Sequence, residues 1–291
     1  NGSVNTSWSG ADRVRAGVNL NYKNDNINYF FNAGHSSGRY PRTNWSNRIS
    51  QLADGTYTTY QEAEGFGGRN GNNIKAGFDW TPSTKHTFTL QGTLNQGLRP
   101  RFEDKITDWT TPFSAYTISQ YSEENGTRWN NSVDAIYDWK PSKDESLNVR
   151  MSYTDGMRDD RMDFEQDTLG VNGGKTPSMR YNTHSYGDQW EFNGLADYTK
   201  KWGESTRLES GVKVIMRDDL DGFERFNTDI NTGVTAIDPL SVNEFLYSEN
   251  IFAAYSNYGF KKGKWGYQLG LRAEQANITA TQITQDSTFY N

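Results

Sequence analysis

At 291 residues the chain has room for one large domain or two small ones. Only 33% of residues are hydrophobic while 14% are aromatic, with 9 Trp and 17 Tyr, a balance that excludes both an ordinary soluble core and a disordered chain. The net charge of −6 gives no electrostatic basis for nucleic-acid binding, and the lack of cysteine excludes disulfides and thiolate metal sites.

Period-two alternation then dominates, in pairs of segments joined by short polar turns. In the first pair Val14, Ala16, Val18, Leu20 and Tyr22 alternate with polar residues, turn at Lys23-Asn24-Asp25-Asn26, and return as Ile27, Tyr29, Phe31 and Ala33. The second pair runs Ile74, Ala76, Phe78, Trp80, turns at 81–85, and returns through Phe88, Leu90 and Leu94. The third runs Val133, Ala135, Tyr137, Trp139, turns at 140–144, and returns through Leu147, Val149, Met151 and Tyr153. The fourth runs Trp190, Phe192, Ala196, Tyr198, turns at Trp202-Gly203-Glu204, and returns through Leu208, Val212, Val214 and Met216. The fifth runs from Phe252 to Tyr258, turns at 261–264, and returns through Trp265, Tyr267, Leu269, Leu271 and Ala273. In the outgoing strand of that pair Ile251, Ala253 and Tyr255 compete with Phe252, Ala254 and Tyr258 for the apolar face. Phe30, Ile136, Leu195 and Ile215 fall on the otherwise polar side.

Five hairpins give about ten strands, each near the ~9–11 residues that a tilted membrane-crossing strand needs. The last aromatic before each turn (Tyr22, Trp80, Trp139, Tyr198, Tyr258) recurs at intervals of roughly 58–60 residues. That is the pattern of an interfacial girdle, to which Trp265, Tyr267 and Tyr29 add, with Trp129, Trp190 and Tyr153 marking the opposite one. The alternate face carries Arg15, Asn19, Lys75, Asp79, Gln91, Asp134, Arg150, Glu191, Asp197, Lys213, Gln268, Arg272 and Glu274, a wet lumen. Between hairpins lie segments near 35–72, 96–128, 154–188 and 217–249, rich in Gly, Asn, Asp, Arg and Tyr, which read as long structureless loops. The fold class expected is all-β: an antiparallel up-and-down transmembrane β-barrel with short periplasmic turns and long extracellular loops, in the bacterial outer membrane. The chain carries neither an apolar run long enough for a transmembrane helix nor a signal peptide at its start, so it is read as mature or as a piece of something longer.

The stretch Tyr247-Ser-Glu-Asn-Ile-Phe-Ala-Ala-Tyr-Ser-Asn-Tyr, followed by Gly266-Tyr-Gln-Leu-Gly-Leu-Arg-Ala-Glu, resembles the central hairpin of TonB-dependent receptor-like outer-membrane barrels of Bacteroidota type. The resemblance implies that residues 1–291 are part of a single barrel domain whose plug domain, TonB box and remaining strands lie outside this chain, out of a total near ~22 strands. It further implies uptake of a glycan, peptide or metal chelate, with lipid and lipopolysaccharide as surroundings and TonB and a surface lipoprotein as partners through parts not in this chain. It places no functional residue here. An outer-membrane assembly or secretion scaffold whose loops bind partner proteins, and a soluble surface lectin, are the alternative readings.

Chemical motifs are few. Gly34-His35-Ser36-Ser37-Gly38 fits G-x-S-x-G, with His184 as a nominal base, but Pro41 forbids the helix that a nucleophile elbow needs. A flexible loop is the reading preferred there. Gly65-Phe-Gly-Gly-Arg-Asn-Gly lacks the last glycine of a phosphate loop and enters a strand, so it too reads as a loop end. The runs Asp159-Asp160-Arg-Met-Asp163-Phe-Glu165-Gln-Asp167 and Asp218-Asp219-Leu-Asp221-Gly222-Phe-Glu224 offer hard oxygen ligands at partial Ca²⁺-loop spacing, and Ca²⁺ in an outer loop is the one cofactor considered. His35, His86 and His184 show no metal-ligand spacing. Tyr40, Trp45, Tyr57, Tyr60, Trp109 and Tyr116 could stack on sugars or clamp a partner. No catalytic, cofactor-binding or metal residue is assigned, no nucleic-acid partner is expected, and the chain is expected not to be an enzyme.

Overall fold

A computed structural model describes residues 1–10, 12–170 and 172–290. These residues form one antiparallel sheet in which nearly every strand neighbours the next in sequence. Its ten long strands are β2 (Arg13–Lys23), β3 (Ile27–Leu52), β4 (Gly55–Ser83), β5 (His86–Thr110), β6 (Ala115–Ser142), β7 (Glu145–Leu169), β8 (Lys175–Trp202), β9 (Thr206–Thr228), β11 (Asn243–Lys262) and β12 (Trp265–Gln282). Short strands β1 (Gly2–Ser9), β10 (Thr235–Ile237) and β13 (Ser287–Tyr290) complete the thirteen. Each of the five short turns falls where the polar breaks require it. Gly203 and Gly263 sit there at φ 64° and 62°, a conformation that a side chain would strain.

Register decides the faces. The ladder sets Asn28 opposite Asp79, Gln91 opposite Asp134, Ser152 opposite Asn193 and Tyr255 opposite Arg272, so polar positions share one side. Side chains bridge the strands on that side: Thr89 donates to Asp79 at 2.7 Å, Ser152 to Asp134 at 2.6 Å and Asn148 to Asp138 at 2.8 Å. Tyr255 crosses Gly211, where a side chain would strike its ring, to donate to Asp197. Ile251, Ala253 and Tyr255 therefore face the polar side, and Phe252, Ala254 and Tyr258 the apolar one. Phe30, Ile136, Leu195 and Ile215 do lie among the polar residues.

On the opposite face rings line the turn end: Tyr22 against Tyr29 at 6.4 Å, Trp80 against Phe88 at 5.3 Å, Phe88 against Tyr137 at 4.5 Å and Phe260 against Tyr267 at 5.0 Å. A second row begins at Tyr153 and Trp190, stacked at 6.4 Å, and Trp190 donates to Asp218 just beyond the apolar belt. From Tyr198 to Trp190, or from Trp139 to Trp129, the strand covers about 26–33 Å at ~3.3 Å per residue, which a tilted strand fits to the ~25 Å apolar band of a membrane barrel. Among the described residues the buried apolar ones are only Ala63 and Ala253, whereas Leu20, Leu94, Val133, Val212 and Leu269 are exposed on the outer face. The apolar surface faces outward as a membrane requires.

The four segments read as structureless loops are not loops. β3 and β4 pair without a break to Leu52 opposite Gly55 and β5 and β6 to Thr110 opposite Ala115, while β7 and β8 pair to Leu169 opposite Lys175 with one bulge at Gln166–Asp167. Only the hairpin tips leave the ladder, one of them held by Asp229, whose carboxylate accepts the N–H groups of Asn231 and Thr232 at 2.9 and 2.7 Å. The 29 residues of β4 reach about 95 Å at ~3.3 Å each, far beyond the ~30 Å hydrocarbon layer. Neighbouring strands supply the backbone hydrogen bonds that Gly, Asn and Asp were expected to forgo, and polar side chains pair across the ladder. Arg180 meets Asp167 at 2.6 Å and Gln120 donates to Gln166 at 2.9 Å. The sheet has open edges: among the described residues β1 pairs only with β2, and β12 pairs beyond β11 only through Thr279–Gln282.

Candidate functional site

Just beyond the membrane belt, the polar face changes character. Arg128 and Arg158 are direct cross-strand partners on β6 and β7. On β4 and β5 the pairs Gly67 with Arg101 and Asn70 with Leu98 put Arg69 opposite Arg99. Glycines fill the gaps between them: Gly71 faces Gly97, Arg99 faces Gly126, and Arg158 faces Gly187. With no side chains at those points, the sheet leaves an open hollow of about 500 Å³ lined by Arg69, Arg99, Arg128 and Arg158 with Asn73, Asn95, Asn130 and Gln189. A second hollow of about 250 Å³ adjoins it, shares Ser36 and Arg69, and adds Arg13 and Arg15 from β2.

Carboxylates answer part of this charge. Asp160 lies 3.1 Å from Arg128 and 3.8 Å from Arg158, and Asp221 lies 2.8 Å from Arg158. Arg13 stacks over Tyr40 at 4.4 Å. Among the described residues Arg15, Arg69 and Arg99 have no carboxylate within ion-pair distance, and the Nε atoms of Arg128 and Arg158 are shut from solvent without a hydrogen-bond partner. Burial, reinforced by Asp221, holds the Asp219 carboxyl above the usual carboxylate range at the rim of the larger hollow. Sequence reading missed this row because its members are about thirty residues apart. The recoverable signal was Arg69 and Arg128 at one distance before Trp80 and Trp139, with Arg99 and Arg158 at the same distance after Phe88 and Leu147 on the returning strands.

Most motifs singled out from the sequence are dispersed. Gly34–Gly38 lies within β3, in strand rather than in a loop, with no helix after it. Ser36 faces the polar side while His184 faces the other, so the two cannot act as nucleophile and base. His35 is occupied with Asn72 at 2.8 Å, and His86 with Tyr137 at 2.9 Å. Gly65–Gly71 runs through β4 in extended conformation, again not a loop end. The two acidic runs lie along β7 and β9, where alternation sends Asp160, Asp219 and Asp221 to the polar face and Asp159, Asp163, Asp218 and Glu224 to the other. Among the described residues no group of three His, Asp or Glu is placed to hold a metal. Trp109 stacks on Tyr116 at 6.2 Å near one tip, while Trp45 and Tyr60 are exposed.

Residues 139–291 match the outer membrane protein beta-barrel family. A comparison with curated proteins found no match. Among solved structures, the chain is similar to the outer membrane protease OmpT from Escherichia coli, with 13% identity, a TM-score of 0.31, and coverage of 94% of this chain and 92% of the protease. It is also similar to BauA, the ferric preacinetobactin receptor from Acinetobacter baumannii, with 7% identity, a TM-score of 0.23, and coverage of 97% and 59%. Likenesses this distant assign no activity. The expectation that the chain is not an enzyme is nonetheless withdrawn, because a protease stands among the structures it is similar to. Physically, that exclusion rested on missing local motifs, whereas a long sheet joins acid and base groups from separate strands: His184 lies 3.0 Å from Asp159 and 3.6 Å from Glu224. The apolar outer belt, the wet opposite face and a match over more than half its length make this chain a member of the outer membrane protein beta-barrel family, at home in the bacterial outer membrane.

Proposed function

We propose that the chain forms part of an outer-membrane transporter or receptor that takes up a solute, of the TonB-dependent type found in Bacteroidota. The observation that carries this reading is the polar face, which continues from the short turns through the membrane belt to the hairpin tips and offers a solute hydrogen-bonding groups at every level. The long hairpins lie on the extracellular side and the short turns on the periplasmic side. The open edges on β1 and β12 favour closure against further strands of the same protein, to a total near ~22. Coupling to TonB and to a surface lipoprotein would act through those further parts.

Reconstitution of the full-length protein in vesicles tests the reading. Entry of small hydrophilic solutes above the rate of protein-free vesicles is the expected result, and vesicles no leakier than controls, with or without energisation, would sink it. Intact mass of the native chain checks the larger barrel: roughly 70 kDa or more is expected for about 22 strands, against 33.1 kDa for these residues alone.

A further inference from the structure

We propose that the arginine-lined hollow on β4–β7 binds an anionic solute bearing carboxylate or phosphate groups. The proposal rests on the uptake reading and names its substrate class. Elsewhere on the polar face some arginines meet carboxylates, as Arg217 does Glu249 at 2.6 Å and Arg272 does Glu274 on the same strand. The hollow instead sets arginine against arginine. Two arginine pairs face each other directly across neighbouring strands, an arrangement that destabilises a sheet. Asp160 and Asp221 offset only Arg128 and Arg158, and so fix where those guanidinium groups point. Arg69 and Arg99 are left with their full charge.

The surrounding residues suit a bound ligand better than a structural role. Glycine on the strand opposite Arg99 and Arg158 keeps the sheet floor open beside each guanidinium. The hollow, about 500 Å³, lies within the ~300–1,000 Å³ of ordinary small-ligand sites. Asn73, Asn95 and Asn130 lie in the row below, as amide groups for a solute's remaining oxygens. Arginine presents donors in a planar fork that matches a carboxylate or a phosphate at two oxygens, which the ammonium of lysine cannot do. Because these side chains project from the polar face, lipopolysaccharide phosphates against the apolar face are out of their reach. The outer face of β7 near this height carries Asp155, Asp159 and Asp163 beside the single Arg161, which pairs with Asp159, a charge balance opposite to that of the hollow.

The full-length protein purified in detergent provides the test, with calorimetric titration by citrate, by inorganic pyrophosphate and by uncharged trehalose. At least one anion binds wild type and trehalose does not; preference between the two anions separates carboxylate from phosphate recognition. Arg69→Gln with Arg99→Gln weakens anion binding about tenfold or more, while Arg69→Lys with Arg99→Lys keeps part of it. Since the glutamine pair removes facing like charges, its melting temperature without anion is no lower than wild type, and only wild type is stabilised by added anion. Unchanged anion binding by the glutamine variant, or no binding of either anion by wild type, overturns the proposal. Vesicle uptake keeps the two readings apart. Anion binding without solute entry would remove the transport reading and leave the site, whereas solute entry without anion binding would remove the site and leave transport.

Discussion

The turn end of the sheet and its far end are made of the same strands but held together differently. At the turn end an apolar face alternates with a mostly polar one, rings line the boundary, and the apolar side chains are exposed because lipid covers them. At the far end both faces are polar, and stability comes from the backbone ladder, from ion pairs such as Arg180 with Asp167, and from isolated ring stacks such as Phe66 on Phe102 at 5.5 Å and Phe164 on Tyr181 at 4.5 Å. One strand can thus be a membrane element over its first ten residues and a water-exposed arm over the rest. The difference lies in what surrounds it, not in its backbone.

The sharpest way to break this comparison is one substitution made twice on one strand. Leu90 and Ile106 share β5, share its outer face and are similarly exposed, at 43% and 39%. Leu90→Arg places a charge in the middle of the apolar belt and should cost about 2–4 kcal/mol. Ile106→Arg, in water, should cost well under about 1 kcal/mol. Urea unfolding in lipid vesicles measures both, and equal costs would show that the belt ends elsewhere. Next in size is Glu249, 8% exposed on the polar face and paired with Arg217. Glu249→Ala should destabilise by about 1–3 kcal/mol, the lower end being favoured because Arg217 can still reach water. A urea midpoint equal to wild type would mean the pair contributes nothing net.

The same division explains what the sequence made legible. Turns, strand pairs and girdles were readable because the membrane imposes period-two alternation on every crossing: Val133, Ala135, Tyr137 and Trp139 can be little else. The far arms escaped because no apolar face marks them. Phe102 and Ile106 are separated by Asp104, and Gly65, Gly67 and Gly68 look like a flexible loop, yet the first two are paired with β4 and the glycines with β3. β1 escaped as well, although Val4 and Trp8 lie opposite Val18 and Val14 and carry the outer alternation onward. The arginine row needs the register as well as the sequence, since Arg69, Arg99, Arg128 and Arg158 meet only when four strands are laid side by side. The acidic runs misled for the converse reason: adjacency in sequence suggested one cluster, and the strand sent alternate carboxylates to opposite faces.

Removing a stack from the far arms sharpens the comparison from the other side. Phe164→Ala deletes the contact with Tyr181 and should cost about 1 kcal/mol, lost locally rather than globally. Hydrogen exchange should quicken along the outer parts of β7 and β8 and stay unchanged at the turn end. Quickening at both ends would mean that the two halves open as one unit.

The smallest expected effect is electrostatic and is read in the far arms. Burial tends to raise the Asp159 carboxyl, but hydrogen bonds from His184 at 3.0 Å and Arg161 at 3.2 Å outweigh it and hold the group below the ordinary carboxylate range. A carboxyl depressed in the folded state contributes stability above its unfolded value of about 3.9 and loses it as pH falls through the folded value. Limited proteolysis of the β7–β8 hairpin should therefore quicken below about pH 4, and Asp159→Asn should remove that acid-dependent part while leaving the arm slightly weaker at neutral pH. Because the group remains in contact with water, the shift in cleavage rate should be small. The turn end carries a counterpart in Glu145, whose carboxylate accepts from Tyr198 and Lys200, so in a Glu145→Gln background the turn end should resist protease equally at pH 4 and pH 7. An acid response of equal size at the turn end of that variant would erase the distinction between a half held by lipid and a half held by polar pairs.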